Sequence, residues 1–281
     1  MKKMILGRKL LSVVSYTNWI IAVNVALFLI FLLLFALKPA FASYIVLTPS
    51  LLVTDHYYWT LLTSMFMHAG GFHLFVNMLS LFFLGNLTEK IIGRKRLLMI
   101  YFIAGIVGAL AYFGSAYLGT LIGTDVAHNV FGEINVSAVG ASGAIFGLIG
   151  LLAVLVPNFR VFLVAGPIVI IVLQVLITPF LPVQAQGVFG FIMTILMLVS
   201  LFGMFSQNKV LRKAAWPIEM PLWVAPIAAI VPLVLISIFV SLPIGNSAHL
   251  GGLVAGLIYG AVLRVKYSKK IALLQRMFVR R

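Results

Sequence analysis

The chain has 281 residues, of which 63 % are hydrophobic and only 9 % charged, and 20 Lys and Arg against 5 Asp and Glu give a net charge of +15. A soluble domain carries about 25 % charged residues, so this composition excludes a water-soluble globular enzyme and points to a membrane protein. The absence of cysteine removes disulfides, thiolate nucleophiles, cysteine-bound zinc and iron–sulfur clusters, and leaves the redox compartment open.

A spanning helix needs about 20 mostly apolar residues. Eight runs qualify, at 18–37, 73–88, 98–119, 140–157, 161–181, 187–206, 222–242 and 247–265, the second and fourth being short and interrupted by Gly or polar residues. Each is expected to be a helix, since in hydrocarbon only a helix or a closed barrel satisfies its own backbone. The stretch from Val161 to Leu176 lacks the alternation of a barrel strand. The fold class is therefore all-α, a polytopic transmembrane helix bundle. The first run is full length with no clear small-residue cleavage site after it, so no cleavable signal peptide is expected.

In chain order, Lys2, Lys3, Arg8 and Lys9 precede the first run, and Lys90, Arg94, Lys95 and Arg96 follow the second. Arg160 follows the fourth, Lys209, Arg212 and Lys213 the sixth, and seven more basic residues from Arg264 to Arg281 the eighth. With both termini on one side, 19 of the 20 basic residues share that side and only Lys38 lies opposite. The positive-inside rule then makes both termini cytoplasmic. The charge reads as a topology signal and an attraction for anionic lipid head groups, not as a nucleic-acid surface. The expected organisation is a basic N-terminus (1–17), a membrane domain (18–265) and a basic tail (266–281). Between the first two runs, the outside loop Pro39 to Gly71 is itself apolar. Its Tyr57, Tyr58 and Trp59, with Leu61, Leu62, Met65 and Phe66, read as an interfacial segment.

No Asp or Glu falls mid-span, which removes a paired-carboxylate protease and argues against a carboxylate proton relay. The remaining polar candidates are His68, His73, Asn77, Ser142 and His249, all near the outer ends of runs two, four and eight. His73 and Asn77 stand four apart and share a helix face. Both can donate to an oxyanion, or simply bond neighbouring helices. Metal binding by the two histidines is weaker, with no third ligand close by in sequence. Ser142 lies between glycines at a helix start, where backbone N–H groups are unpaired. Gly143 and Gly147 equally make a helix-contact face. Gly252, Gly256 and Gly260 form a ridge at four-residue steps, with His249 one turn above it. Packing that ridge on Gly143 and Gly147 would bring His249 level with Ser142. A Ser–His pair can work without a third acid if packing holds the imidazole.

These residues closely resemble the rhomboid family of intramembrane serine proteases. The matching stretches are His68-x4-His73-x3-Asn77-Met78, Gly140-Ala-Ser142-Gly143-Ala-Ile-Phe146-Gly147 and Ala248-His249-Leu-Gly-Gly252, with Leu84-Gly85, Glu89-Lys90 and Gly93 at the end of the second run. The resemblance implies Ser142 as nucleophile and His249 as base. It implies Asn77, His73 and the Gly140–Ser142 backbone around the oxyanion, and Phe146 stacked on the base. His68, Gly143, Gly252 and Gly256 would be structural, and no cofactor or metal is implied. It further implies single-span or membrane-adjacent protein substrates entering laterally, between the second core helix and run seven. The setting would be a prokaryotic plasma membrane with the site opening outward. Two departures stand out. Thr60 follows Trp59 where the family often has Arg. The 107 positions between Ser142 and His249 hold three apolar runs instead of one, so an inserted helix pair is expected at about 160–206 on a six-helix core. A catalytically silent membrane adaptor and a transporter are the alternatives. For a protease, activity is expected to fall on the acid side.

Overall fold

The computed structural model describes residues 15–239 and 245–279. The basic N-terminus with Lys2, Lys3, Arg8 and Lys9, the end of the seventh run, and Arg280 and Arg281 lie outside them. All eight apolar runs carry helix: α1 (Tyr16–Leu37), α2 (Gly71–Ile92), α3 (Arg94–Ile122), α4 (Ser142–Leu155), α5 (Ala165–Ile177), α6 (Val183–Gly203), α7 (Ala225–Ser237) and α8 (Asn246–Lys266). Shorter helical turns lie in the connections, and a further helix, α9 (Ser268–Val279), forms from the basic tail.

α3, α4 and α8 pack most closely and form the centre, with α2 joined to α4 on one flank and α1 covering α2. α4 is apolar nearly all round, and its Leu148, Leu151, Leu152 and Leu155 are fully buried. A helix of this kind has no face for lipid and is surrounded by protein.

Length separates the helices into two groups. α1, α2, α3, α6 and α8 are long and apolar enough to cross a bilayer. α4 has 14 residues, and α5 and α7 have 13 each. At 1.5 Å per residue these three reach only about 20 Å, against a hydrocarbon core of about 30 Å. So the eight expected spans are five full-length helices and three short ones. For α5 the cause is a strand: residues 161–164, expected as the start of the fifth helix, belong to β1 (Arg160–Val164), which pairs antiparallel with β2 (Pro217–Pro221). Val161, Phe162 and Val164 favour a strand, and the partner fixes it. Leu222 N–H continues the pairing to Phe159 O at 2.9 Å, and Trp223 N–H reaches Pro157 O at 3.2 Å. Arg160 and Glu219 on these strands are exposed. The α5–α6 hairpin is thus enclosed by β1 and β2, with β2 leading directly into α7.

The start of α1 depends on α2. Ser15 Oγ accepts from Asn18 N–H at 3.1 Å. Glu89, near the end of α2, accepts from Tyr16 N–H at 3.1 Å and from Thr17 N–H and Thr17 Oγ–H at 2.9 Å each. Arg94 Nε completes the set 3.2 Å from Glu89 Oε1. The carboxylate thus satisfies donors that a helix start leaves open and faces the positive end of the α1 dipole. The Thr17 methyl lies where a Cβ at Gly85 would come within 2.7 Å, so α1 and α2 touch closely there. Beyond this basic end of the bundle, Arg96 bonds Tyr267 OH at 2.6 Å. Gln275 of α9 donates to Leu155 O at 3.0 Å, capping the end of α4.

The loop after α1 is braced internally, without an arginine at position 60. Trp59 Nε1–H donates to Tyr44 O at 2.8 Å, Thr60 Oγ–H to Tyr57 O at 2.6 Å, and Thr63 Oγ–H to Ile45 O at 2.8 Å. Of the residues expected to be interfacial, Tyr58, Trp59 and Leu62 are exposed. Met65 departs from that expectation: it is 3 % exposed, filling the notch that Gly105 leaves in α3. Glu89→Ala, which strips donors at the α1 start of their acceptor, is expected to cost about 2 kcal/mol. The check is a lowered thermal unfolding midpoint in detergent, with Lys90→Ala on the exposed side as the control.

Candidate active site

The site is built from three helix starts, those of α2, α4 and α8. Ser142 opens α4, with Ala141 as its cap, so the N–H groups of the first turn have no partner inside the helix. His249 lies in the first turn of α8. Its Nε2 stands 2.8 Å from Ser142 Oγ, and its ring stacks on Phe146 with centroids 4.4 Å apart and planes 13° apart. The stack fixes the ring plane, and the hydrogen bond then fixes its rotation.

Backbone contact between α4 and α8 makes this alignment. A Cβ on Gly252 would overlap the Gly143 carbonyl, and one on Gly256 would overlap the Gly147 carbonyl. The expected ridge and groove therefore meet, with Gly252 over Gly143 and Gly256 over Gly147. α3 closes the arrangement from behind, where a Cβ on Gly108 would come within 2.7 Å of Ala248 O.

α2 brings the donors. Asn77 is buried, and its Nδ2 has no hydrogen-bond partner among the described residues. His73 Nδ1 accepts from Ala69 N–H at 3.4 Å. In the neutral ring that leaves the proton on Nε2. Both groups face the chain just before Ser142: a Cβ at Gly140 would meet His73 Nε2 at 3.0 Å and Asn77 Nδ2 at 3.4 Å. Gly140 also has φ +125, a conformation L side chains rarely adopt. Asn77 Nδ2–H and His73 Nε2–H thus line the backbone at Gly140, two residues before Ser142 and the N-terminal N–H groups of α4. An anion formed on an atom bonded to Ser142 Oγ would find these donors close by.

His68 precedes α2 and is 1 % exposed. Its ring meets those of His73 at 5.2 Å and Phe28 at 6.4 Å, both edge to face. Burial, helped by the neighbouring His73, lowers its pKa to about 4. It is a neutral wedge between α1 and the site.

Several contributors were not visible in the sequence. The segment leading to Ser142 is pinned to the loop between α1 and α2 by a Leu47–Ala138 bridge, with N···O distances of 3.2 and 2.8 Å, and by Ser50 N–H to Ile134 O at 2.8 Å. Tyr112 OH donates to Val136 O at 3.0 Å, and Gly140 N–H to Ser64 O at 2.9 Å. Asn246, one turn above His249, reaches Ser237 Oγ of α7 at 3.4 Å. Backbone acceptors carry no sequence signature; only Gly140, beside a candidate serine, hinted at an unusual turn.

Gly252→Ala places a methyl against the Gly143 carbonyl and is expected to cost about 1–3 kcal/mol. Thermal unfolding should show it, while Leu250→Ala on the exposed side of the same turn stays near wild type.

Comparison with known proteins returns one family. The sequence profile of the Rhomboid domain matches residues 55–197, a stretch that holds His68, His73, Asn77 and Ser142 and ends before His249. The chain is 38 % identical over 114 residues to RHOMBOID-like protein 1 of Arabidopsis thaliana, covering 40 % of this chain and 25 % of that protein. It is 37 % identical over 113 residues to Rhomboid protease GluP of Bacillus subtilis, covering 40 % and 19 % respectively. It is 34 % identical over 112 residues to Inactive RHOMBOID-like protein 8 of Arabidopsis thaliana, covering 40 % and 27 %. The matched stretch spans about a quarter of the length of these relatives.

Proposed function

The chain belongs to the rhomboid family, and from that premise we propose that it is an intramembrane serine endopeptidase working through Ser142 and His249. The observation that carries this reading is the 2.8 Å hydrogen bond between His249 Nε2 and Ser142 Oγ, on a ring stacked against Phe146. In the proposed reaction, Ser142 Oγ attacks a substrate carbonyl carbon while His249 Nε2 takes the hydroxyl proton. The carbonyl oxygen gains the negative charge and is received by Asn77 Nδ2–H, His73 Nε2–H and the Ser142 N–H. Collapse of the tetrahedral intermediate breaks the C–N bond, and His249 returns the proton to the leaving amine. Water then attacks the Ser142 ester with His249 again as base, releasing the acid and restoring the serine.

The substrate class follows from where the pair lies. Ser142 starts a helix surrounded by the bundle, so the bond cut belongs to a membrane-embedded or membrane-adjacent segment of a protein. The α5–α6 hairpin is the extra pair relative to a six-helix core. Both termini are assigned to the cytoplasm from the basic residues, with the dyad toward the outer leaflet.

A relative named inactive makes a silent adaptor the competing reading. The complete Ser, His and Asn set with hydrogen-bonded geometry favours activity. The discriminating experiment treats the purified protein with a serine-directed phosphonate and, separately, with single-span substrates in liposomes. Wild type is expected to label and cleave, Ser142→Ala and His249→Ala to do neither, and Asn77→Ala to lose about a hundredfold in rate. Equal cleavage by wild type and Ser142→Ala would end the proposal.

The pH dependence has a defined sign. A protonated His249 cannot accept the Ser142 proton, so the rate should hold near neutral pH and fall as pH drops. His68, whose pKa burial lowers to about 4, stays uncharged above that value and does not create the fall. A rate maximum in acid would exclude His249 as the base.

A further inference from the structure

α1 rests on α2 and only lightly on α3, which leaves an apolar groove of about 280 Å³ between α1 and α3. Tyr16, Trp19 and Val23 line it from α1, and Leu98 and Phe102 from α3, each set spaced as one helix face. Trp19 and Val23 are exposed, so the groove opens sideways toward lipid rather than into the bundle. Phe66, in the turn Ser64–Phe66, closes the far end, its ring 6.3 Å from that of Phe102. From Tyr16 to Val23 the groove follows two turns of helix, about 10 Å. That is less than one leaflet of a hydrocarbon core about 30 Å thick.

The near end is basic. Arg94 lies over the Tyr16 ring at 5.5 Å, but its charge is met by Glu89 at 3.2 Å. Lys95 differs: it is exposed, and it has no ion pair among the described residues. It stands one and two turns before Leu98 and Phe102 on the same face of α3. Glu89 is the acid at this end, and Arg94 and the first N–H groups of α1 already occupy it. The groove thus joins an uncompensated cation to an apolar slot that stops within one leaflet. A spanning peptide helix does not fit that shape, since it is about 10 Å wide and needs a path across both leaflets. A single acyl chain does fit, because it starts at a head group and ends inside its own leaflet.

We propose that the α1–α3 groove is a binding site for one anionic glycerophospholipid. Its phosphate meets Lys95, and an acyl chain lies along Trp19, Val23 and Phe102 as far as Phe66. The lysine stem runs over apolar surface while its ammonium group stays at head-group level. The chain fills the space that separates α1 from α3, so the lipid joins α1 to the bundle on the side that α2 does not hold. The site shares no residue with Ser142 and His249, and it stands whether or not they are reactive.

The test reads Trp19 directly. Full-length protein in phosphatidylcholine vesicles receives a small, fixed fraction of phosphatidylglycerol or phosphatidylcholine brominated along the acyl chain, and the bromine quenches nearby indole fluorescence. The chain has four tryptophans, so the quenching seen in Trp19→Phe is subtracted to leave the Trp19 share. Brominated phosphatidylglycerol should quench that share more strongly than brominated phosphatidylcholine. Lys95→Gln should lower the preference about fivefold, the size of one lysine's attraction to an anionic surface. Lys269→Gln, at the same basic end on α9, should leave it unchanged. Val23→Phe fills the groove from α1 and Leu98→Phe fills it from α3, and either should abolish the preference. In detergent, added phosphatidylglycerol should raise the wild-type unfolding midpoint, as a ligand of the folded state does, and raise that of Lys95→Gln less. Equal quenching of Trp19 by the two lipids overturns the site. So does a preference that Lys269→Gln lowers as far as Lys95→Gln, which would mark a diffuse surface attraction. A preference that survives both groove-filling variants would place the chain elsewhere and also overturns it.

Discussion

α4 and α8 meet backbone to backbone, and the rest of the site depends on that contact. With Gly252 against the Gly143 carbonyl and Gly256 against the Gly147 carbonyl, no side chain separates the two helices. In a bilayer, where lipid is as apolar as leucine, such close packing is what holds helices together. It also fixes their relative height, because each glycine fits one notch of the facing backbone. Ser142 and His249 lie at the ends of these two faces, so the glycine register sets their separation before any polar interaction forms. The hydrogen bond and the Phe146 stack refine what the packing has already imposed.

The two ends of the bundle treat polar groups differently. At the basic end, Glu89 gathers donors from Tyr16, Thr17 and Arg94, and Gln275 occupies the terminal carbonyl of α4. Those bonds are made and hold the frame, although the neighbouring Thr88 hydroxyl is buried without a partner among the described residues. At the dyad end, Asn77 Nδ2 and His249 Nδ1 are buried with no partner among the described residues. Buried unpaired donors cost free energy, and groups held this way cluster at working sites. The frame's satisfied bonds offset that cost and keep the donors aimed.

Much of this was legible in the sequence because the bilayer restricts the choices. Hydropathy located every major helix, since lipid admits little else. The four-residue steps at His73 and Asn77 and at Gly252 and Gly256 gave faces, because helical period converts spacing directly into direction. The strand at 160–164 was not legible: mean hydropathy is the same for an apolar strand and an apolar helix, and the pairing partner lies far along the chain. Neither was the anchoring of the chain just before α4, which rests on a backbone bridge between Leu47 and Ala138 that neither side chain announces. Met65 was misjudged for a similar reason, since only the packing reveals that Gly105 makes room for it.

That bridge ties the position of Ser142 to the loop between α1 and α2, where Tyr44 stacks on Tyr57 at 4.9 Å and Tyr57 neighbours Trp59 at 5.0 Å. Aromatic residues of this type settle at the head-group layer. A loop seated there would act as a float, with Ser142 held at a fixed distance from it by the bridge. On the protease reading proposed above, the bond presented for cutting is counted down from the membrane surface. On that reading, a thinner or thicker bilayer would move the scissile position along a bound segment without altering the contacts between the loop and α4.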